Sequence, residues 1–192
     1  MKDIIRHSAE FLRALRNKRF ESRPDGSILL AAQGIVFKGF GGIRNITANE
    51  PWEEHQNVVT AQGIGVVLAS GITGSSWYFA PYFAAVTPVG SITAANFNST
   101  QTEFTNYDEA TRQLCDYADP VAGVITNAAA VATITIAGGA QTAIYGFGIM
   151  SVSGKGSGAG ACLAVSPLGS GRTGLQDGDE YGLKHTITGV SA

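Results

Sequence analysis

In "VATITIA" (131–137) apolar and polar side chains alternate, with Ile134 and Ile136 on one side of an extended chain and Thr133 and Thr135 on the other. A period of two marks a strand with one buried face. "AGG" (137–139) supplies a turn, and "AIYGFGIM" (143–150) reads as a second strand. Its bulky Tyr145, Phe147 and Ile149 share one face and Gly146 and Gly148 the other. Glycine costs a strand ~0.5–1 kcal/mol relative to alanine. Two at i and i+2 therefore point either to a close approach of backbone or partner, or to a bulge at a sheet corner. Strands are expected at 76–80, 82–86, 131–137, 142–152, 160–166 and 182–190, between clusters of turn residues. "SILLAAQGIVFKGFGG" (27–42) is also β-type, broken at Gly34. The polar passage 87–120 exceeds a hairpin connection and is expected to cross from one sheet to another.

Two segments depart from this pattern. Ile4, Ile5, Phe11, Leu12 and Leu15 form one stripe of a helix, opposite Lys2, Arg6, Arg13 and Arg16. "RPDGS" (23–27) stops it with Pro24 and Gly26. The stripe fits a helix packed on its own domain, and equally an arm laid on a neighbouring subunit. Val58, Val59, Ile64, Val67 and Leu68 fit a second, short helix, weakened by Gly63 and Gly65. The expected architecture is a mainly β, jelly-roll-like antiparallel sandwich with an N-terminal amphipathic helix or arm and one short helix. Residues 1–24 would be the basic arm and 25–192 a single domain, the size one core can support.

Charge sharpens that division. Residues 1–24 hold seven basic and three acidic side chains, a balance of +4 that leaves −6 for the rest of a chain with net charge −2. The body lacks the broad basic field that draws nucleic acid. Charged residues are only 15 % of the chain, against ~25 % in an ordinary soluble protein. Such a surface suits a component partly covered by neighbours. No apolar run approaches the ~18 residues of a membrane helix, and the opening residues lack the apolar stretch of a secretory leader. The sequons at Asn45 and Asn98 carry little meaning without secretion.

Candidate chemistry is sparse. Cys115 and Cys162 lack metal-ligand spacing and read as small buried hydrophobes. "GKGSGAG" (154–160) resembles a phosphate loop superficially, but Lys155 is followed by Gly156 and then by a strand, which leaves no helix to receive a phosphate. It reads as a flexible hairpin loop. "EEH" (53–55) reads as a solvated turn, and His185 as a satisfied, half-buried histidine sharing its face with Leu183 and Ile187. "DGDE" (177–180) lacks the further ligands of a calcium loop and reads as the turn into the last strand. These readings give no catalytic set, metal or cofactor, and the expectation is a binding part rather than an enzyme.

The order of "WYFAPYF", "TPVGSITAANFNSTQTEFTNYDEATR", "ITNAAAVATITIAGGAQTAIYGFGIMS" and "GDEYGLKHTIT" resembles a group of tailed-bacteriophage virion proteins, over roughly residues 55–190. The basic N-terminal segment has no counterpart in that pattern. The resemblance implies a capsid decoration (cement) protein with a jelly-roll-like domain, or a tail, collar or baseplate component. It would be made in the host cytoplasm and sit on the capsid surface of the virion. Its partners would be the major capsid protein and copies of itself, a trimer ahead of a dimer, with no nucleic acid or membrane. Ile4, Ile5, Phe11, Leu12, Leu15, Arg13 and Arg16 would be the docking residues. A carbohydrate-binding sandwich with Trp77, Tyr78, Tyr82 and Phe83 as a sugar platform is the alternative from another class.

Overall fold

Two strands of eleven and twelve residues organise the molecule, because they pair along almost their whole length. In the computed structural model these are Ile35–Asn45 and Glu180–Ser191, antiparallel from Ile35↔Ser191 to Asn45↔Tyr181. The structure describes residues 21–22, 28–30, 35–60, 75–119, 121, 124–139, 141 and 143–191, with side chains described from 38 to 188 within those spans. The expected helix over 1–24 and its docking residues lie outside them, apart from Glu21 and Ser22.

In chain order the strands are β1 (Glu21–Ser22), β2 (Ile28–Leu30), β3 (Ile35–Asn45), β4 (Glu53–Val59), β5 (Tyr78–Tyr82), β6 (Gln113–Leu114), β7 (Val124–Thr126), β8 (Ala132–Thr135), β9 (Ala143–Met150), β10 (Cys162–Thr173) and β11 (Glu180–Ser191). One helix, α1 (Ala94–Thr100), is present among the described residues. Every strand pairing is antiparallel. One edge of β11 takes β8 and then β7, and its other edge takes β3. The far edge of β3 is shared by β2 and β4. From β4 the sheet continues through β10, β9 and β5 to β6. This curled antiparallel sheet makes a half-barrel, sandwich-like fold.

The concave side holds the main core: Trp77, Phe79, Phe147, Ile149, Ile43, Ile134, Ile136, Leu163 and Leu183 are all essentially inaccessible. A second cluster lies on the other side of β5, β9 and β10, where Phe97 of α1 covers Tyr82, Met150, Cys162 and Val165. The two faces of β9 therefore both face apolar layers. Phe147 and Ile149 point to the main core, and Gly148 faces α1, where a Cβ would stand 2.7 Å from the Phe97 ring. The glycine lets the helix lie flat against the sheet, the close approach that its position suggests.

Several expectations are corrected here. Strands form within both expected spans, as Ala132–Thr135 and Ala143–Met150, but not as a hairpin: β8 pairs with β11 and β9 with β5 and β10. Tyr145 does not share the face of Phe147, because the β9–β10 register slips between Pro167 and Arg172. Ile144 stays in the main core while Tyr145 turns to the helix side. Val58 and Val59 are strand rather than helix, paired with Val165 and Ala164, and residues 61–74 are outside the described set. The short helix instead occupies 94–100, inside the passage read as polar crossing chain. Thr93 caps it by accepting from Asn96 N, and Asn96 Oδ1 accepts from Thr93 N. Candidate 76–80 becomes β5, which runs on to Tyr82 because Pro81 sits in the ladder opposite Phe147; the strand expected at 82–86 does not form, since residues 83–86 are irregular. Glu21 and Ser22, at the end of the expected arm, pair with Leu29 and Ile28.

Candidate binding face and buried polar groups

Past residue 24 the chain has six lysines and arginines, and their partners divide the molecule into an interior and a surface chemistry. Arg112 is buried and forms a two-pronged pair with Glu103, Nε to Oε1 at 2.9 Å and a terminal nitrogen to Oε2 at 2.7 Å. The same guanidinium donates to the carbonyls of Val152 and Ser157 at 2.9 Å each. Glu103 Oε2 also accepts from Gly156 N at 2.9 Å. Lys155 Nζ donates to Tyr107 O at 2.6 Å and lies 3.5 Å from the centre of the Tyr107 ring. Asn98 of α1 donates to Gly156 O at 2.6 Å. The glycine-rich loop between β9 and β10 is thus a pinned loop, held by a buried ion pair whose lone pairs and protons are largely matched. Lys155 faces carbonyls and an aromatic ring there, which is not how a phosphate-binding lysine is placed.

A second polar group lies inside the sheet. His185 on β11 is completely buried, deeper than the half-buried position expected. Asn57 Nδ2 stands 2.5 Å from its Nε2, and the Tyr117 hydroxyl is hydrogen-bonded to its Nδ1. With Asn57 donating to Nε2, the neutral imidazole carries its proton on Nδ1 and donates to Tyr117 Oη; Tyr117 in turn bonds Cys115. Burial pushes the His185 pKa down to about 3, so the ring is neutral at ordinary pH. Burial likewise raises the Cys115 and Tyr117 pKa values, and that of Cys162 to about 12. Both cysteines are buried, as expected. Glycines make room for this group: a Cβ at Gly39 would stand 2.0 Å from Asn57 Oδ1, and one at Gly41 2.2 Å from Ser166 Oγ.

The convex side of β3, β4 and β11 is different. Trp52 lies across Gly42 and Gly182, where added Cβ atoms would stand 3.3 and 3.4 Å from its ring. Arg44 is 5.0 Å and Lys184 4.7 Å from the ring centre, and Lys184 also pairs with Glu54. Phe40, on the same face, is 41 % exposed. Lys38 follows the same alternation along β3, opposite Thr188. Glu53 and His55 are on β4, not in a turn, 3.0 Å apart and joined by Arg172, which reaches Glu50 at 2.8 Å and Glu53 at 3.1 Å. No three His, Cys, Asp or Glu side chains among the described residues are grouped to hold a metal. "DGDE" does launch β11, with Asp177 accepting from Gly138 N at 2.7 Å.

The proposed sugar platform is overturned in its main members: Trp77 and Tyr82 are fully buried. They supply the bulk that the two apolar layers need. The convex face around Trp52 was missed because β11 joins β3 and Trp52 from the far end of the chain; only Gly42 and Gly182 hint at a ring resting on backbone. No protein-family model, curated protein or solved structure matches this chain.

Proposed function

We propose that the chain is a structural virion protein that binds the outer surface of a tailed-phage capsid and stabilises the shell, working as a small homo-oligomer against the major capsid protein. The observation that carries this reading is the distribution of exposed apolar side chains. Phe40 lies on the convex face, Phe83, Val86 and Val89 follow β5, and Leu114 and Val121 flank the crossing from β6 to β7; all are 37–74 % exposed. A subunit set among neighbours needs contact surfaces on more than one side. The interior supports the same reading, since the buried ion pair and His185 are held by internal bonds.

A decoration protein stabilises a shell because it binds the assembled lattice and not the free subunit, and symmetric repetition multiplies modest contacts. The sequence resemblance serves a tail, collar or baseplate component equally well. Quantitative mass spectrometry of purified virions, normalised to the major capsid protein, separates the two. One copy per capsid subunit, or a simple fraction of it, is the expected result. A few copies per particle would move the protein to the tail, and absence from the particle would overturn a virion role. Removal of residues 1–20 tests the arm: capsid binding should be lost with the β domain still folded.

A further inference from the structure

The basic side chains on the described surface are sorted. Of the six basic side chains beyond residue 24, Arg112 is held by Glu103, Lys155 by backbone carbonyls and Arg172 by Glu50 and Glu53. The other three, Lys38, Arg44 and Lys184, all project from the convex face of β3 and β11, and only Lys184 has a carboxylate partner. The exposed carboxylates that make no ion pair include Asp116 and Asp119, in the extended chain that leaves β6. There they lie between two exposed apolar residues: Leu114 is 46 % and Val121 74 % exposed. This strip is held in place from within. Cys115 N donates to Trp77 O at 2.7 Å, Tyr117 reaches His185, and Ala118 N donates to Thr126 O at 3.1 Å.

We propose that the convex face of β3 and β11 is a docking site for the acidic strip of a second copy of this chain, residues 114–119 with Val121. The two surfaces match in kind. The face offers an aromatic side chain, Phe40, among three cations; the strip offers two aliphatic side chains around two carboxylates. Apolar contact supplies affinity and opposite charge sets the partner and the register. Both surfaces are built on rigid backbone, so little ordering is needed on association. The strip docks as an extended segment over a sheet face already shaped by Gly42 and Gly182, leaving Trp52 and its cations level with the strands. Because each copy carries both surfaces, a reciprocal contact gives a symmetric dimer and a head-to-tail contact gives a ring or an open chain.

The inference rests on the assembly reading only in requiring that copies meet. It needs no capsid, so it is tested on the purified full-length chain and its failure leaves the copy-number experiment untouched. Sedimentation velocity is measured for wild type, for Lys38→Glu with Phe40→Glu, and for Asp116→Lys with Asp119→Lys, with thermal melts confirming that each variant is folded. Wild type should be oligomeric, and 1 M salt should weaken it, because the Debye length falls to ~3 Å. Each charge-reversed variant should weaken association by about 100-fold. Mixed in equal amounts, the two variants should reassemble, since the acidic face of one now meets the basic strip of the other. A monomeric wild type overturns the proposal, as does a pair of folded variants that associate like wild type or stay apart on mixing. If a variant fails to fold, Lys38→Glu alone against Asp119→Lys alone repeats the exchange with single substitutions.

Discussion

Lowering the pH should destabilise this fold along a course set by one side chain. His185 is fully buried and its pKa is held down to about 3 from an ordinary value of 6.5. The unfolded chain takes up a proton at this ring as pH falls through 6.5, while the folded protein does not until near 3. The unfolded state therefore binds more protons between these values, and stability falls with decreasing pH. Each unit of separation corresponds to ~1.4 kcal/mol. The loss attributable to His185 is then about 2 kcal/mol at pH 5 and about 3 kcal/mol at pH 4, with no effect above pH 7. Its titratable neighbours do not compete in that window, since burial raises the pKa of both Tyr117 and Cys115 and keeps them neutral. The assay is urea unfolding at pH 8, 7, 6, 5 and 4 for wild type and His185→Gln. Glutamine does not titrate, so subtracting its profile removes the carboxylates common to both proteins. Stability falling equally in both between pH 7 and 5 would refute the reasoning, as would an NMR titration showing imidazolium at pH 5.5 in the folded protein.

Other perturbations address the packing. Gly148→Val should destabilise by about 1–3 kcal/mol, read as a lower thermal midpoint, because its Cβ would stand 2.7 Å from the Phe97 ring. Arg112→Met should cost ~3–5 kcal/mol by leaving Glu103 buried and unpaired, and adding Glu103→Leu should recover much of that loss in chemical denaturation. Trp77→Ala should cost ~3–5 kcal/mol by emptying a core position; a variant with unchanged stability would return Trp77 to the surface. Lys155→Met should leave global stability within about 1 kcal/mol and speed amide hydrogen exchange at residues 154–158, since Lys155 ties that loop to Thr105 and Tyr107.

How far the fold could be read from the chain depended on whether a segment's neighbours were local. The alternation in "VATITIA" was sufficient for β8, and Ile134 and Ile136 do face the core, because one buried face imposes a period of two whatever the partner strand is. Which strand that partner is was not legible. "AGG" looks like a hairpin turn, yet β8 and β9 are drawn to opposite parts of the sheet by pairing with β11 and β10. The helix at 94–100 was hidden because its asparagines, serine and threonine are poor helix formers in isolation; its cap and the burial of Phe97 against β9 decide the matter. Val58 and Val59 fit a helical stripe when counted alone, but Glu53–Val59 pairs along β3 and β10. The polar interior was legible only as types: His185 was expected to be satisfied, but its partners Asn57 and Tyr117 are 128 and 68 residues away.

The small residues that make the sheet look under-packed in sequence have separate physical tasks. Gly148 faces a helix, Gly39 and Gly41 face the polar side chains Asn57 and Ser166, and Gly42 and Gly182 lie under Trp52. In each case the missing side chain is replaced by a larger one from another segment, so the density of the layer is kept while its chemistry is set by the incoming residue. That arrangement explains why a chain with only 15 % charged residues can confine a neutral histidine and an ion pair to its interior and still gather Lys38, Arg44 and Lys184 on one face. A side chain at Gly41 would displace Ser166 and Phe147, and one at Gly42 would lift Trp52 and the cations around it. The glycines of β3 therefore link the two sides of the sheet: those pointing inward shape the polar core, and Gly42, pointing outward, keeps the proposed docking face flat.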